Sequence, residues 1–370
     1  MPQNEILKLA KKLIAFKTMT GDQKQTTACF KFIKNYFAAE IKSKKIIVKE
    51  YSKNGLLSMV LSNAITLDYD IILKGHIDVV AAEEKDFIPK IKNGTVCGRG
   101  AGDMKSQVAA MMVILKEFVS AGAEKIIALI LTSDEETGGY SGAKYLVDEI
   151  GYKAKIVIDP DGGNNFALDI KEKGVFWFKI TAFGKSSHGS RPWLGENAIL
   201  KLMAFYQELE KIFPPLKKIK SLYQEGITVN LGKISGGKSI NAVPDSAEMY
   251  LDIRYSEKSD KQRIINEMKM LTEKFELNFK ITDDAEIFET DPNNSYIQSF
   301  KSVAKKIIAR KVKIIKSTGA GDNRFFSTKG MPVIILGPNF GGEHGPNEWV
   351  EIKSLERFYQ ILKEFIEQID

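Results

Sequence analysis

The chain carries only three histidines in 370 residues, and two of them stand where a metal ion could be held. His76 lies in Gly75-His76-Ile77-Asp78-Val79-Val80, close after the apolar run Ile71-Ile72-Leu73. An imidazole at a strand end can ligate a cation through one ring nitrogen. A carboxylate two residues on, Asp78, can hold the proton of the other nitrogen and fix the tautomer. Downstream, Asp103 sits in Gly98-Arg99-Gly100-Ala101-Gly102-Asp103-Met104-Lys105. The adjacent pair Glu135-Glu136 follows in Thr132-Ser133-Asp134-Glu135-Glu136-Thr137-Gly138-Gly139, then Asp159-Pro160-Asp161, then His344 in Glu343-His344-Gly345-Pro346-Asn347-Glu348. Two imidazoles and several carboxylates, with no cysteine among them, make a hard N/O donor set. Such a set suits two divalent ions that share a carboxylate and are used for hydrolysis.

Each residue alone also has a plainer reading. His76 and Asp78 fit a core histidine beside a capping acid. Asp103 fits a turn residue capping a helix that starts at Ser106, and His344 fits a hydrogen-bonded loop histidine. Glu135-Glu136 could be a solvated loop pair, although adjacent carboxylates after a buried strand repel unless a cation is near.

The elements that must position these residues favour the chemical reading. Helical periodicity covers Asn4 to Phe16, Thr26 to Ala39, Ser106 to Val119, Ser141 to Val147 and Ile352 to Ile369. Apolar strand patterns occur at Leu57 to Leu61, Ile71 to Leu73, Ile126 to Leu131, Ile156 to Ile158 and Val333 to Leu336. Helices alternating with continuous apolar strands predict an α/β domain with a mostly parallel sheet and helices on both faces. His76, Glu135-Glu136, Asp159/Asp161 and His344 all follow expected strands. Ligands bind outside the carboxyl ends of strands in open α/β sheets, so separate segments deliver metal-type side chains to one edge.

The middle of the chain reads differently. Strands Val175 to Ala182, Ile227 to Leu231, Ala247 to Ile253 and Leu277 to Thr282 alternate with helices Glu196 to Ile212 and Lys258 to Lys274. A β-α-β-β-α-β order predicts an inserted ferredoxin-like α+β domain. The expected organisation is a first catalytic part over 1–174, the insertion over 175–285 and a second catalytic part over 286–370.

Composition excludes several classes. Hydrophobic residues at 44% and charged residues at 27% are ordinary for a globular enzyme. The net charge of +7 is spread over the sequence without like-charge blocks or arginine-aromatic interleaving, so a solvated surface is expected and no nucleic-acid partner. Cys29 and Cys97 are too few for a disulfide framework, which agrees with the cytoplasm. The first 16 residues interleave Lys8, Lys11 and Lys12 with Leu7, Leu9, Leu13 and Ile14, unlike a signal peptide, and no run has the length of a membrane span.

The motifs above, with Gly184-Lys185-Ser186-Ser187-His188 and Asn241-Ala242-Val243-Pro244-Asp245, resemble those of the M20 family of zinc peptidases and deacylases, over essentially the whole chain. That family includes desuccinylases, deacetylases, carboxypeptidases and dipeptidases, with a zinc-exopeptidase-like fold and an inserted lid domain. The resemblance implies two zinc ions, for which cobalt or manganese could substitute. His76 would ligate the first ion, oriented by Asp78, Asp103 would bridge both, and Glu136 with His344 would ligate the second. Glu135 would be the general base. The remaining carboxylate comes from Asp159-Pro160-Asp161; the reading leans to Asp161, with Asp159 as the alternative.

His188 resembles the lid histidine that stabilises the oxyanion, Asn241 and Arg254 resemble residues that grip a substrate carboxylate, and Gly319 resembles a pocket-lining glycine. By its own pattern His188 reads as a loop histidine of the β-rich region; Arg254 also fits a strand-surface arginine, and Gly319 a flexible turn. The resemblance implies a homodimer through the inserted domain and amide hydrolysis in a short peptide or N-acyl amino acid. The reading from another class is a catalytically silent, metal-binding regulatory or binding module of the same fold.

Overall fold

The computed structural model describes residues 2–122, 124–216 and 223–369. The chain divides into two compact units. The first comprises Met1–Lys171, Glu289–Lys316 and Gly321–Asp370; the second comprises Glu172–Phe288 and Ser317–Ala320.

The first unit is built on a six-stranded sheet. Its strands run in the order Ile47–Lys53, Leu56–Ser62, Ile127–Thr132, Asp68–His76, Lys153–Ile158, Val333–Ile334. The last four are parallel, and the first two pair antiparallel at one edge. That antiparallel edge departs from a uniformly parallel sheet, and its cause is local. Asn54 and Gly55 both have positive φ (51° and 78°), the backbone of a two-residue hairpin turn. Every residue of Ile127–Thr132 is buried, because helices cover both faces.

Helix Pro2–Ile14 turns Ile6, Leu9, Ala10, Leu13 and Ile14 inward, a one-sided stripe that explains its interleaved lysines. Helix Lys105–Ser120 is buried on nearly all sides. Helix Ile352–Gln368 adds Leu355, Phe358, Leu362 and Phe365 to the same core. Each such side chain contributes about 1.5–3 kcal/mol by leaving water. The helix expected from Ser141 is only the turn Ala143–Tyr145 followed by a π-helical turn Leu146–Ile150, ended by Gly151 at φ 89°. A further small sheet, Phe340–Gly341, Trp349–Glu351, Thr95–Cys97 and Lys90–Lys92, was not expected. Among the described residues, no helix is long and apolar enough to cross a membrane.

The second unit is a four-stranded antiparallel sheet in the order Thr228–Gly236, Ser246–Tyr255, Gly174–Phe183, Asn278–Ala285. With helices Ala198–Ile212 and Lys258–Lys274 this is the ferredoxin-like arrangement. Strand Ser246–Tyr255 buries alternate residues, Ala247, Met249, Leu251, Ile253 and Tyr255, against Leu202, Phe205, Ile264 and Met268 of the helices.

Candidate metal centre

His76 ends a strand that lies close against helix Lys105–Ser120. A Cβ on the preceding Gly75 would stand 2.9 Å from methyl groups of Met111 and Val108, so any side chain there would have to push the helix side chains aside. The imidazole is fully buried. Its Nδ1 is 3.1 Å from the Asp78 carbonyl oxygen and 3.4 Å from Asp78 Oδ1, which places the proton on Nδ1. Nε2 lies 2.9 Å from Asp103 Oδ1 and donates a proton to it; a bound cation would take that proton's place and receive the Nε2 lone pair. Burial alone would lower this imidazole's pKa, but the Asp103 and Asp78 carboxylates outweigh it and hold it well above the usual range.

Asp78 is itself held by three donors: Thr20 Oγ1 at 2.9 Å, the Glu136 backbone N–H at 3.1 Å and the Glu135 backbone N–H at 3.3 Å. It therefore couples the orientation of His76 to the loop that carries both glutamates.

Asp103 lies between the two histidines. One oxygen faces His76 Nε2 and the other faces His344 Nε2 at 3.2 Å. His344 also meets Glu136 Oε2 at 3.1 Å. The Asp103 and Glu136 carboxylates push the His344 imidazole up to about 10. Burial would raise the Asp103 carboxyl, yet the two imidazoles bring it well below the carboxylate range. Asp103 is positioned by Glu348, whose buried carboxylate accepts from Arg99 Nη1 at 2.7 Å and from the backbone N–H groups of Gly100, Gly102 and Asp103 at 2.9, 2.8 and 3.0 Å. Arg99 also donates to the Gly345 carbonyl at 3.1 Å, so one ion pair shapes both loops.

Donor atoms gather in two groups of three, each within 4.8 Å of one another: His76, Glu135 and Asp161, and Asp103, Glu136 and His344. Burial, reinforced by Asp161, raises the Glu135 carboxyl well above its ordinary value, and burial reinforced by Asp103 does the same to Asp161. Closely packed acids of this kind fit a divalent pair, which would relieve their repulsion. Asp161 Oδ2 is 3.8 Å from His76 Nε2, whereas Asp159 is fully buried and faces Lys74. Glu135 thus stands with His76 and Asp161, a grouping its adjacency to Glu136 did not reveal.

The four remaining expected residues lie in the second unit. His188 and Ala242 form a backbone bridge, and Gly189 N–H donates to the Asn241 carbonyl at 2.7 Å, so the His188 and Asn241 loops run together. His188 Nδ1 accepts the Ser190 backbone N–H at 3.2 Å, which leaves the proton on Nε2. Arg254 is forked onto Asp252 by two bonds of 2.8 and 3.0 Å. A Cβ on Gly319 would stand 3.3 Å from Glu172.

Sequence reasoning did not single out Thr20, Lys74, Arg99, Asp322 and Glu348, of which Thr20 holds Asp78 and the Arg99–Glu348 pair holds the Asp103 loop. Arg99, Asp322 and Glu348 lie inside or beside the motifs, and a charged residue in a glycine-rich or sheet-edge loop was the available signal. Thr20 has none, since its partner is 58 positions away.

Comparison with known proteins adds a family. The model of peptidase family M20/M25/M40 matches residues 72–368. A succinyl-diaminopimelate desuccinylase of a Nitratiruptor species is 26% identical, over 98% of this chain and 99% of its own. Among solved structures, an M20 family metallo-carboxypeptidase of Sulfolobus solfataricus has TM-score 0.81 at 16% identity, covering 98% of both chains. A dinuclear metal binding M20 peptidase of Bacillus subtilis has TM-score 0.71 at 17% identity, covering 98% of this chain and 97% of that one.

Proposed function

We propose, for a chain that belongs to peptidase family M20/M25/M40 and is a hydrolase of amide or peptide bonds, that it cleaves a small carboxylate-bearing substrate, a short peptide or N-acyl amino acid, at a dinuclear metal centre. The observation that carries this reading is Asp103, which belongs to the donor group of Glu136 and His344 while its other oxygen meets His76 of the second donor group. His76, Asp103 and Asp161 would hold the first ion; Asp103, Glu136 and His344 would hold the second. Zinc suits these N/O donors, and cobalt or manganese could replace it. A bound pair polarises the scissile carbonyl and acidifies water.

Glu135 takes the proton of the attacking water and returns it to the leaving amine, work that suits a carboxyl with a raised pKa. Asp78 keeps His76 in the ligating tautomer. His188, with its proton on Nε2, is a donor for the developing oxyanion. Asn241 and Arg254 bind the substrate carboxylate, for which Arg254 must exchange the Asp252 fork. Gly319 keeps the pocket wall free of a side chain.

A homodimer through the second unit is supported by its edge strand Thr228–Gly236 and by exposed Leu200 and Met203 on helix Ala198–Ile212. A cytoplasmic location is supported by Cys29 and Cys97, both free thiols.

The test is a panel of N-acetyl, N-succinyl and dipeptide substrates given to the wild type and to Glu135→Ala. One substrate class is turned over, and the variant keeps both metals while its kcat falls about 10²–10⁴-fold. Wild-type rates in the metal-loaded variant would overturn the mechanism.

A further inference from the structure

Lys74 stands two residues before His76, on the same strand, and its side chain is fully buried. Its ammonium lies 2.8 Å from Asp322 Oδ2 and 3.9 Å from Asp159 Oδ2. Both acids are as buried as the lysine. An ammonium leaves water at acceptable cost only where carboxylates meet it, so these charges belong together.

The three residues come from separate segments. Lys74 is on strand Asp68–His76, Asp159 follows strand Lys153–Ile158, and Asp322 precedes helix Asn323–Ser327. Asp322 reaches two segments more. Thr132 Oγ1, at the end of the neighbouring strand, donates to its Oδ2 at 3.3 Å. Its Oδ1 occupies the space beside Gly139, where a Cβ would come within 1.7 Å and where φ is +68°. Only glycine is tolerated there, and the loop carrying Glu135 and Glu136 closes directly onto Asp322.

This cluster bears on which acid meets the cations. Asp159 and Asp161 flank one proline, and either could in principle serve. Asp159 is turned toward Lys74, while Asp161 Oδ2 is turned toward His76 Nε2.

We propose that Lys74, Asp159 and Asp322 form a buried charge lock that turns Asp159 away from the cation pair and presents Asp161 in its place. Lys74 and Asp322 are then positioning residues of the centre, and Asp159 is held as their counter-ion. This rests on the dinuclear reading above.

Cobalt(II) is the probe, since its visible absorption reports the ligand set and its titration reports stoichiometry. Wild type binds two equivalents. Asp159→Asn binds two with the wild-type spectrum, and Asp161→Asn loses one. Lys74→Met frees Asp159 to compete, so its spectrum changes; Lys74→Met/Asp159→Asn, which removes both charges together, recovers the wild-type spectrum. Asp322→Asn weakens cobalt affinity about 10–100-fold, the usual cost of losing an outer partner of a metal centre. If Lys74→Met does not fold, the double variant and Asp322→Asn decide.

Loss of one equivalent in Asp159→Asn would overturn the lock and leave the dinuclear reading standing. So would a folded Lys74→Met or Asp322→Asn with wild-type spectrum and affinity. A wild type that takes up no divalent ion removes both.

Discussion

Strand Ile127–Thr132 of the first unit buries every residue, whereas strand Ser246–Tyr255 of the second buries every other one. The polar chemistry divides along the same line. In the first unit, partly buried carboxylates face one another and two imidazoles, and the cluster fits a cation from outside. In the second, the polar groups satisfy themselves: Arg254 is held by Asp252, and Lys179 by Glu248 at 2.5 Å. A sheet covered on both faces can bury charge at its strand ends, while a one-faced sheet leaves its charges at the surface, already paired.

Metal addition should separate the two regions most strongly. At about a thousand times its dissociation constant, an ion stabilises the state that binds it by about 4 kcal/mol. Hydrogen exchange should show that gain in strands Ile127–Thr132 and Lys153–Ile158 and little change in Ser246–Tyr255. Protection of equal size in both would break the contrast.

Alanine substitutions probe the sheets themselves. Leu129→Ala and Ile130→Ala are neighbours that are both fully buried, so each should cost about 2–5 kcal/mol in denaturant unfolding. In the second unit Leu251→Ala should cost as much, but the adjacent, half-buried Tyr250→Ala only about 1 kcal/mol.

A titration sharpens the point about charge. Burial brings the Lys105 ammonium down from 10.5 to about 8. Between those values the unfolded chain binds more protons than the folded one, so stability rises with pH. The cost of burying the charge is felt in full below about 8 and is gone above 10.5. At about 1.4 kcal/mol per unit, wild type should gain about 3 kcal/mol relative to Lys105→Met across that window. Substituting the surface residue Lys179 should abolish no such rise.

A more local effect is expected at Arg254. Arg254→Met should raise KM about 10–100-fold, the worth of a charged hydrogen-bonded pair, with kcat nearly unchanged. A fall in kcat with KM unchanged would move Arg254 from substrate binding to the chemical step.

Much of this was legible in the residues, for identifiable reasons. The strand before His76 and the six buried residues Ile127–Thr132 are continuous apolar runs, and alternation in Ser246–Tyr255 announced a one-faced sheet. The chemical residues stood out because acids and imidazoles follow those runs. The edge strand Ile47–Lys53 did not, since its residues are mostly half-buried and its lysines blur the alternation. Yet Asn54-Gly55 and Asn93-Gly94, both with positive φ, were available as hairpin signals. Helix Ser295–Ile308 was also missed, although Asn294 caps it by accepting the Tyr296 N–H. The contacts of Thr20 with Asp78 and of Lys74 with Asp322 depend on three-dimensional neighbours, which spacing along one chain does not encode.

The buried pair Arg99–Glu348 joins positions 249 residues apart. Asp103 is therefore shaped by a carboxylate that emerges from the ribosome long after it. During synthesis at about 5–20 residues per second, the loop of Asp103 spends many seconds without its anchor. Until Glu348 has been made, the loop of Asp103 lacks the carboxylate that gives it its shape, so its alignment with His76 and His344 is late in synthesis relative to its own place in the chain.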